Sequence, residues 1–206
     1  MTGQDTIDEA RQGSLPGIVR LTDQFGGTGA EVMQRTAHLS PCRRYRYALW
    51  RRWGDGPHAM FVGLNPSTAD ETADDPTIRR CIAFARAWGY GALCMANLFA
   101  YRATQPADML AQDGPVGPEN DAYLQRLAAE AGVVVAAWGT HGTHGGRHRA
   151  VRAMLPGLHY LRLTKDGYPG HPLYLPASLR PVQWVTPNVG GEARPLGRRL
   201  DGRVRR

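Results

Sequence analysis

The 206-residue sequence has little of what stabilises a disulfide-rich or metal-bound fold. Its three cysteines, Cys42, Cys81 and Cys94, lack the short spacing of zinc ligands. Cys81 and Cys94 fall at apolar positions, where a free thiol packs as a small core residue. We find no signal peptide and no apolar run long enough to span a bilayer. The sequence therefore disfavours a disulfide scaffold, a metal site and a membrane partner, and we expect a cytoplasmic protein.

Lysine is also nearly absent, although the chain is basic. Lys165 is the single lysine among 25 basic side chains, which outnumber the 18 acidic ones and give a net charge of +7. Arginine makes planar, bidentate contacts to phosphate, and excess positive charge attracts nucleic acids and nucleotides. The alternative is a solvated basic surface in an arginine-rich protein. The charge alone does not decide between the two.

What the sequence does have is a series of short apolar runs that alternate with amphipathic segments. Residues 59–64, 92–96 and 133–138 have the length and the flanking turn residues of buried strands, and residues 159–164 alternate less cleanly. Asp75-Pro76 is a helix-start signal, and apolar residues recur after it at helical spacing up to Trp88. This order predicts a three-layer α/β/α fold around a central, mostly parallel sheet of four to five strands.

The two ends of the chain depart from this pattern. Residues 1–41 have weak periodicity and predict a poorly ordered arm or cap. Residues 42–186 are predicted to form a single α/β domain. In its first segment, residues 43–53, successive side chains alternate as they do in an antiparallel edge strand. Residues 54–57 would then be the turn of a hairpin that joins this strand to the next one. Residues 187–206 are rich in glycine, proline and arginine and predict a disordered basic tail.

A polar segment follows each predicted parallel strand, at residues 65–75, 97–104, 139–144 and 164–171. Parallel strands point one way, so these segments should meet at one edge of the sheet, where open α/β folds bind ligands. The alternative is that loops are polar everywhere. The loops expected at the opposite edge are short and glycine-based, which favours a site at the carboxyl edge.

Three residues of the first polar segment have two interpretations each. Asn65 is either an amide that reads a ligand or a turn former before Pro66. Asp70 either orients a water as a general base or is a solvated loop acid. Asp75 fits a helix cap better than a catalyst, although its helix N-terminus would face the site.

The later segments contribute three further candidates. Asn97 closes an apolar strand, and a buried amide needs hydrogen-bond partners, which suits substrate recognition. Arg102 either meets a phosphate or forms a surface ion pair. His171 lies in a loop fixed by glycine and proline, and is either a donor to a leaving group or structural.

Several strings between about residues 45 and 176 resemble one family closely. LNPSTAD, DDPTIRR, NLFAYRAT, GPEND, AWG and HPLYL resemble the signature blocks of a bacterial and phage family described as a domain of unknown function. Their number and order make the resemblance specific, but it implies no activity.

A remote resemblance is to the uracil-DNA glycosylase superfamily. MFVGLNPS, CMANLFAYR, VVVAAWGTHG and GHPLYL are similar, in order, to its strand-end motifs. The resemblance implies that Asn65 acts in the first motif, that Asn97 reads the base and that His171 stabilises the departing base. Phe99 or Tyr101 would take the place of the superfamily's base-stacking phenylalanine. The cysteines that hold an iron–sulfur cluster in some members are absent.

The resemblance implies a DNA glycosylase that hydrolyses the N-glycosidic bond of a damaged or modified base flipped out of DNA. Asn65 and Asp70 would position the water and His171 would donate to the base, with no cofactor and no metal, in a monomer bound to DNA. The alternatives are an enzyme or binding protein for a free nucleotide or other small phosphorylated ligand, and a nucleic-acid-binding module without chemistry. The substrate-binding residues would be Gly63, Leu64, Pro66, Ser67, Asn97, Phe99, Tyr101 and Arg102, and the phosphate-binding residues Arg79, Arg80 and Arg147.

Overall fold

A computed structural model describes residues 18–21 and 32–185 of the chain. Its strands are β1 Ile18–Leu21, β2 Gln34–Leu39, β3 Arg46–Arg52, β4 His58–Gly63, β5 Ala92–Asn97, β6 Val133–Ala136, β7 Leu158–Tyr160 and β8 Val182–Gln183. Its helices are α1 Pro76–Ala87, α2 Pro106–Leu110, α3 Asn120–Ala129 and α4 Arg147–Met154, with 3-10 turns at Thr140–Gly146 and Pro172–Tyr174.

The described strands form one eight-stranded sheet in the order β1-β2-β3-β5-β4-β6-β7-β8. The four central strands β5, β4, β6 and β7 run parallel. On one side β3, β2 and β1 continue the sheet antiparallel, and β8 adds an antiparallel strand on the other. This confirms a mixed α/β fold with a mostly parallel centre, but the sheet is wider than the four to five strands expected.

The predicted hairpin between β3 and β4 is wrong, and β3 is not an edge strand. β5 lies between them, with Leu49 opposite Met95 on the β3 side and Phe61 opposite Met95 on the β4 side. The crossover through α1 returns the chain to the position beside β4 that a hairpin partner would take. The turn after β3 passes over the start of β5, where a Cβ on Gly91 would lie 2.1 Å from the Asp55 carbonyl oxygen. Only glycine allows that close approach.

The segment expected to be an arm contributes two strands to the sheet, β1 and β2, so the boundary at residue 42 is too late. β2 escaped prediction because its sequence, QRTAHL, has few apolar residues. The rest of residues 1–31, and the predicted tail at residues 187–206, lie outside the described residues.

Alternate residues of the central strands face two separate cores, as the pleat of a strand requires. Ala59 and Phe61 of β4 pack in one core, which α1 covers with Ile78 and its neighbours. Met60 and Val62 pack in the other, which α3 and α4 cover. Helices therefore lie on both faces, and both cores end at the carboxyl edge of the parallel strands. Among the described residues, no helix combines the length and the apolar character needed to cross a membrane.

Candidate functional site at the carboxyl edge of the sheet

The loops that follow β4 and β5 are joined directly by backbone hydrogen bonds. The Leu98 N–H donates to the Gly63 carbonyl oxygen at 2.9 Å, and the Phe99 N–H donates to that of Leu64 at 3.0 Å. Farther along, the Ala103 N–H donates to the Pro66 carbonyl oxygen at 3.0 Å. The residues predicted from the first two polar segments therefore lie side by side.

The Asn65 side chain fastens these two loops together. Its Nδ2 donates to the carbonyl oxygens of Ala103 at 2.7 Å and of Pro66 at 3.0 Å. Both donors of the amide face the backbone, so Asn65 has the turn-forming role considered for it. Its Oδ1 makes no hydrogen bond with the residues that the structure describes, which leaves an acceptor for a water or a ligand.

Asn97 is the buried amide of the site, with 3% of its surface exposed. Its Oδ1 accepts from the guanidinium of Arg46 at 3.4 Å, and its carbonyl oxygen accepts from Asn120 Nδ2 at 3.0 Å. A Cβ on Gly63 would lie 2.9 Å from Asn97 Nδ2, so glycine at the end of β4 makes room for this amide. Asn97 is thus held between β3, β4 and α3.

Four arginines from the β2–β3 region hold the loop at residues 69–74, and we call them the arginine clamp. Their guanidiniums donate to backbone carbonyls of the loop or pair with its acids. The Arg51 side chain is fully buried and joins Asp74 at 2.7 Å, and Arg43 joins Glu71 at 2.7 Å. The loop has little apolar anchorage, so these charges fix its path. The clamp consists of Arg35, Arg43, Arg46 and Arg51.

Asp70 closes a tight turn inside this loop. Its Oδ1 accepts from the Thr72 hydroxyl and from the backbone N–H groups of Thr72 and Ala73, at 2.7 to 2.9 Å. Partial burial alone would raise the pKa of Asp70, but these hydrogen bonds outweigh it and lower the pKa to about 2. Asp70 is a carboxylate at neutral pH and is a weak base, because a general base works best with a pKa near the working pH.

Asp75 caps α1, as its sequence predicted. Its Oδ1 accepts from the Ile78 N–H at 2.8 Å, and Pro76 occupies the first helical turn. Burial lowers the pKa of both Arg46 and His171. The negative charge of Asp75 raises both pKa values, but by less than burial lowers them. Asp75 therefore links the Arg46–Asn97 pair to the loop that follows β7.

His171 lies at the start of the 3-10 turn Pro172–Tyr174. Its Nδ1 accepts from the Leu173 N–H at 3.4 Å, which leaves the proton of the neutral ring on Nε2. Burial lowers the pKa of His171, and the nearby Asp75 only partly opposes this. The ring is therefore neutral at pH 7 and presents Nε2–H as a donor.

The other proposed substrate-binding residues differ in how far they are exposed. Phe99 is 2% exposed and packs in the core, 5.9 Å from the His144 ring, so it does not offer a face for base stacking. Tyr101 is half-buried and meets Tyr45 edge-on at 5.7 Å. Arg102 donates to the Arg43 carbonyl oxygen at 3.3 Å. Of the rest, Pro66 is buried, and Gly63, Leu64 and Ser67 are half-buried.

The three arginines expected to contact phosphate are not equivalent. Arg79 is exposed in the first turn of α1, and its Nη1 donates to the Asp74 carbonyl oxygen at 2.5 Å, so its other donors can still face a phosphate. Arg80 donates to the Leu175 carbonyl oxygen and stacks over Phe84 at 4.9 Å. Arg147 is 7% exposed, and its guanidinium donates to the Leu98 carbonyl oxygen and pairs with Asp121. The helix turns the Arg147 side chain inward, and its contact with phosphate stays a prediction.

The family model described as "Protein of unknown function (DUF1643)" matches residues 46–173. The chain belongs to the DUF1643 family. No curated protein and no solved structure matches it. The DUF1643 match begins at Arg46 and includes Asn65, Asn97 and His171, so the segments that build the carboxyl edge lie within it.

Sequence reasoning missed several residues of this DUF1643 site, above all Arg46, Arg51 and Asn120. Arginine is rarely buried, so an arginine in a strand is taken as a surface residue unless its acid partners are known. The acidic run at residues 70–75 was the available signal, since buried arginines need carboxylates or carbonyls. Asn120 lies in the GPEND string, whose asparagine donates to the Asn97 and Leu98 carbonyl oxygens. Across the described residues, no cluster of three or more histidine, cysteine or acidic side chains could hold a metal ion.

Proposed function

We propose that this protein is a DNA glycosylase-like enzyme that hydrolyses the N-glycosidic bond of a damaged or modified base flipped out of DNA. One observation carries the proposal. A buried amide, Asn97, stands at the end of a parallel strand, and the same edge holds a neutral histidine, His171. Neither Asn97 Nδ2 nor His171 Nε2 has a hydrogen-bond partner among the described residues. A flipped base needs a group that reads its edge and a donor that stabilises it as it leaves.

In this proposal Asn97 reads the base and His171 donates Nε2–H to the base as it becomes an anion. A neutral imidazole suits this role, because its hydrogen bond strengthens as charge develops without a proton having to be transferred. Tyr174 lies beside His171, with ring centroids 5.6 Å apart, and is 82% exposed. Its open face would stack on a nucleobase.

Asn65 is the proposed water-positioning residue. Its Nδ2 is fixed by two carbonyl oxygens, so Oδ1 is held in one direction and would accept from a water on the sugar side of the base. Asp70 would support this arrangement as an ionised carboxylate that favours the positive charge developing on the sugar. Its low pKa argues against a role in taking the proton from water.

The layer arrangement supports the proposal at the level of the fold. Helices pack on both faces of the mostly parallel sheet, as the uracil-DNA glycosylase-like architecture would require. We propose that the enzyme acts on DNA as a cytoplasmic monomer, without a cofactor.

The alternative is an enzyme or binding protein for a free nucleotide or another small phosphorylated ligand. The observation that favours it is that several arginine side chains form hydrogen bonds and ion pairs within the protein. The clamp arginines and Arg147 bond to the protein itself, so much of the positive charge is not offered to a DNA backbone. The same amide and histidine would bind a nucleotide equally well.

The test is to incubate the protein with oligonucleotides that each carry one altered base, and to measure base release as alkali-labile strand breaks. We expect release from at least one base, and about 100-fold slower release by His171→Gln, the usual loss when one preorganised donor is removed. His159→Gln is the matched control, since the His159 ring, within the part of the chain that the structure describes, hydrogen-bonds to the local Gly157 carbonyl oxygen alone, at 3.0 Å. No release from any oligonucleotide, with nucleotide binding intact, would favour the alternative.

A further inference from the structure

The surface formed by α4, β7, β8 and the turn after β7 carries positive charge that the protein itself does not neutralise. Residues 132–185 contain six basic side chains and a single acidic one, Asp166. Four of the six make no hydrogen bond or ion pair with the residues that the structure describes. Three of these four are exposed and one, Arg152, is half-buried. The four are Arg149, Arg152, Arg162 and Lys165.

Two aromatic rings lie among these charges. Arg152 of α4 stacks over the Trp184 ring, 4.0 Å from its centroid, and Trp184 meets Tyr160 edge-on at 6.0 Å. Tyr160 lies opposite Val182, and Trp184 follows two residues later, so both rings point to the face of the sheet that α4 covers. We call this surface the α4–β8 face. It consists of Arg149, Arg152, Tyr160, Arg162, Lys165 and Trp184.

Arg152 is the residue of this face best suited to hold a base. A guanidinium that stacks on an indole with one side keeps its other side and its five N–H groups for a ligand. Trp184 and Tyr160 are half-buried, so the stack is anchored in the protein and still reaches the surface. Alternating cations and planar groups are typical of surfaces on which successive bases stack and phosphates are neutralised.

The α4–β8 face continues to the loop that carries His171. The Gly170 N–H donates to the Arg162 carbonyl oxygen at 2.8 Å, which joins this loop to the end of the face. The Gly139 N–H donates to the Pro169 carbonyl oxygen at 3.0 Å, which joins the same loop to the end of β6. A strand that lies on the face therefore reaches the carboxyl edge of the sheet beside His171.

The charge on the surface of α2 and α3 is the opposite. Residues 104–130 contain five acidic side chains, all exposed, and one basic side chain, Arg126. This surface repels a polyanion, whereas the α4–β8 face attracts one. The two surfaces together leave one favourable side of the molecule for a chain of phosphates.

We propose that the α4–β8 face binds single-stranded nucleic acid, with a base stacked on the Arg152 guanidinium and phosphates held by Arg149, Arg162 and Lys165. A single strand fits because its bases offer free π faces, whereas the bases of a duplex are stacked on each other. An acidic protein or a lipid surface would match the charge but would bring no base to the guanidinium. The inference extends the proposed function, because it gives the strand that flanks the flipped base a path to the site.

The first test measures whether the face recognises bases as well as charge. Fluorescence anisotropy follows the binding of a labelled oligothymidylate of about 12 nucleotides, a length that one such site covers. We expect an abasic strand with the same phosphates, and a blunt duplex of the same length, each to bind at least about 10-fold more weakly. Equal binding of the abasic strand or of the duplex, or no binding of the oligothymidylate, would overturn the proposal.

The second test assigns the binding to Arg152. We expect Arg152→Gln to weaken binding of the oligothymidylate about 10-fold, and Arg152→Lys to recover only a minor part of the loss, because lysine keeps the charge but not the planar group. Arg126→Gln is the matched control, since Arg126 also stacks on an aromatic ring, that of Tyr123 at 4.6 Å, but on the acidic surface. Equal affinities of Arg152→Gln and Arg126→Gln, or full recovery by Arg152→Lys, would overturn the proposal.

Arg149→Gln tests the phosphate contacts and leaves the stack of Arg152 on Trp184 intact. Arg149 is exposed, so this variant also serves if Arg152→Gln does not fold. We expect the slope of log K against log salt concentration to become shallower by about 0.7, the share of one phosphate of a single strand. An unchanged slope would contradict the proposed phosphate contacts.

Base release separates this inference from the proposed function, because oligothymidylate binding needs no altered base. If the strand binds through Arg152 and no altered base is released, the glycosylase function fails and the α4–β8 face stands. If an altered base is released and Arg152→Gln changes neither release nor affinity, the α4–β8 face fails and the glycosylase function stands.

Discussion

At the scale of single residues, Gly63 is a position where one added carbon atom would disturb the site. It ends β4, and any side chain there would press on Asn97 Nδ2, since a Cβ would lie 2.9 Å away. We expect Gly63→Ala to cost about 1–2 kcal/mol of unfolding free energy, as overpacking usually does, and to weaken nucleotide binding at least 10-fold. Thermal unfolding and nucleotide titration measure the two effects.

Gly157→Ala is the matched control, because a Cβ there meets no atom within 4 Å. This substitution should leave both stability and binding close to wild type. Equal effects of the two substitutions would show that Gly63 is not special to the site.

Asp70 makes a prediction about pH. Its folded pKa, about 2, lies below its ordinary value of 3.8, so the ionised carboxylate stabilises the folded state. This stabilisation is fully present above about pH 4 and is lost as the pH falls toward 2. We expect Asp70→Ala to cost about 1–2 kcal/mol in urea unfolding at pH 7, from the loss of its hydrogen bonds, and less at pH 3.

Asp113→Ala is the comparison for this measurement, because Asp113 is an exposed loop acid. Its cost should be near zero at both pH values. A cost of Asp70→Ala that grows between pH 7 and pH 3 would contradict the role assigned to the Asp70 hydrogen bonds.

At the scale of the elements, the loop at residues 69–74 takes its shape from arginines rather than from apolar packing. Arg51 is the most buried member of the clamp and bonds to Asp74, to the Asp70 carbonyl oxygen and to the Ala73 carbonyl oxygen. Removing one partner of a buried ion pair leaves the other charge unpaired. We therefore expect Arg51→Met to cost about 3 kcal/mol or more, measured by urea unfolding.

Arg52→Met tests whether this loss is specific to the clamp. Arg52 is the next residue of β3, and the hydrogen bonds that its side chain makes with described residues go to the carbonyl oxygens of Gly54 and Gly56, near solvent. We expect it to cost less than about 1 kcal/mol. Limited proteolysis should also cut the loop at residues 69–74 faster in Arg51→Met than in Arg52→Met.

Sequence reasoning located the strands and helices that are marked by a pattern in their own residues. β4, β5 and β6 form from apolar runs, and α1 begins at the cap and proline that predicted it. The place of β5 between β3 and β4 had no local signal, because the partner of a strand depends on the crossover and not on its own residues. The burial of Arg46 and Arg51 was hidden for the same reason, since their partners lie in a loop about 23 residues away.

At the scale of the whole molecule, the net charge of +7 is weaker evidence for DNA than it first appears. The clamp arginines and Arg147 bond to carbonyl and carboxylate oxygens of the protein itself, where they hold the loops of the site. Exposed arginines such as Arg79 remain for a phosphate backbone. The distribution of the charge, rather than its sum, decides whether the proposed substrate is DNA or a free nucleotide.

Salt dependence separates these two substrates, because binding to DNA releases counterions from each phosphate that is neutralised. For a single strand held through about three phosphates, we expect a slope of about −2 for log K against log salt concentration. Arg79→Gln, at the first turn of α1, should make this slope shallower by about 0.7.

Arg86→Gln is the control, because it changes the charge equally. Arg86 stacks over Trp53 at the far end of α1, about 10 Å along the helix, and its replacement should leave the slope unchanged. Equal slopes for the wild-type protein and Arg79→Gln would exclude Arg79 from the DNA contact. A slope near zero for the wild-type protein would leave the free nucleotide as the substrate, because a small ligand displaces few counterions.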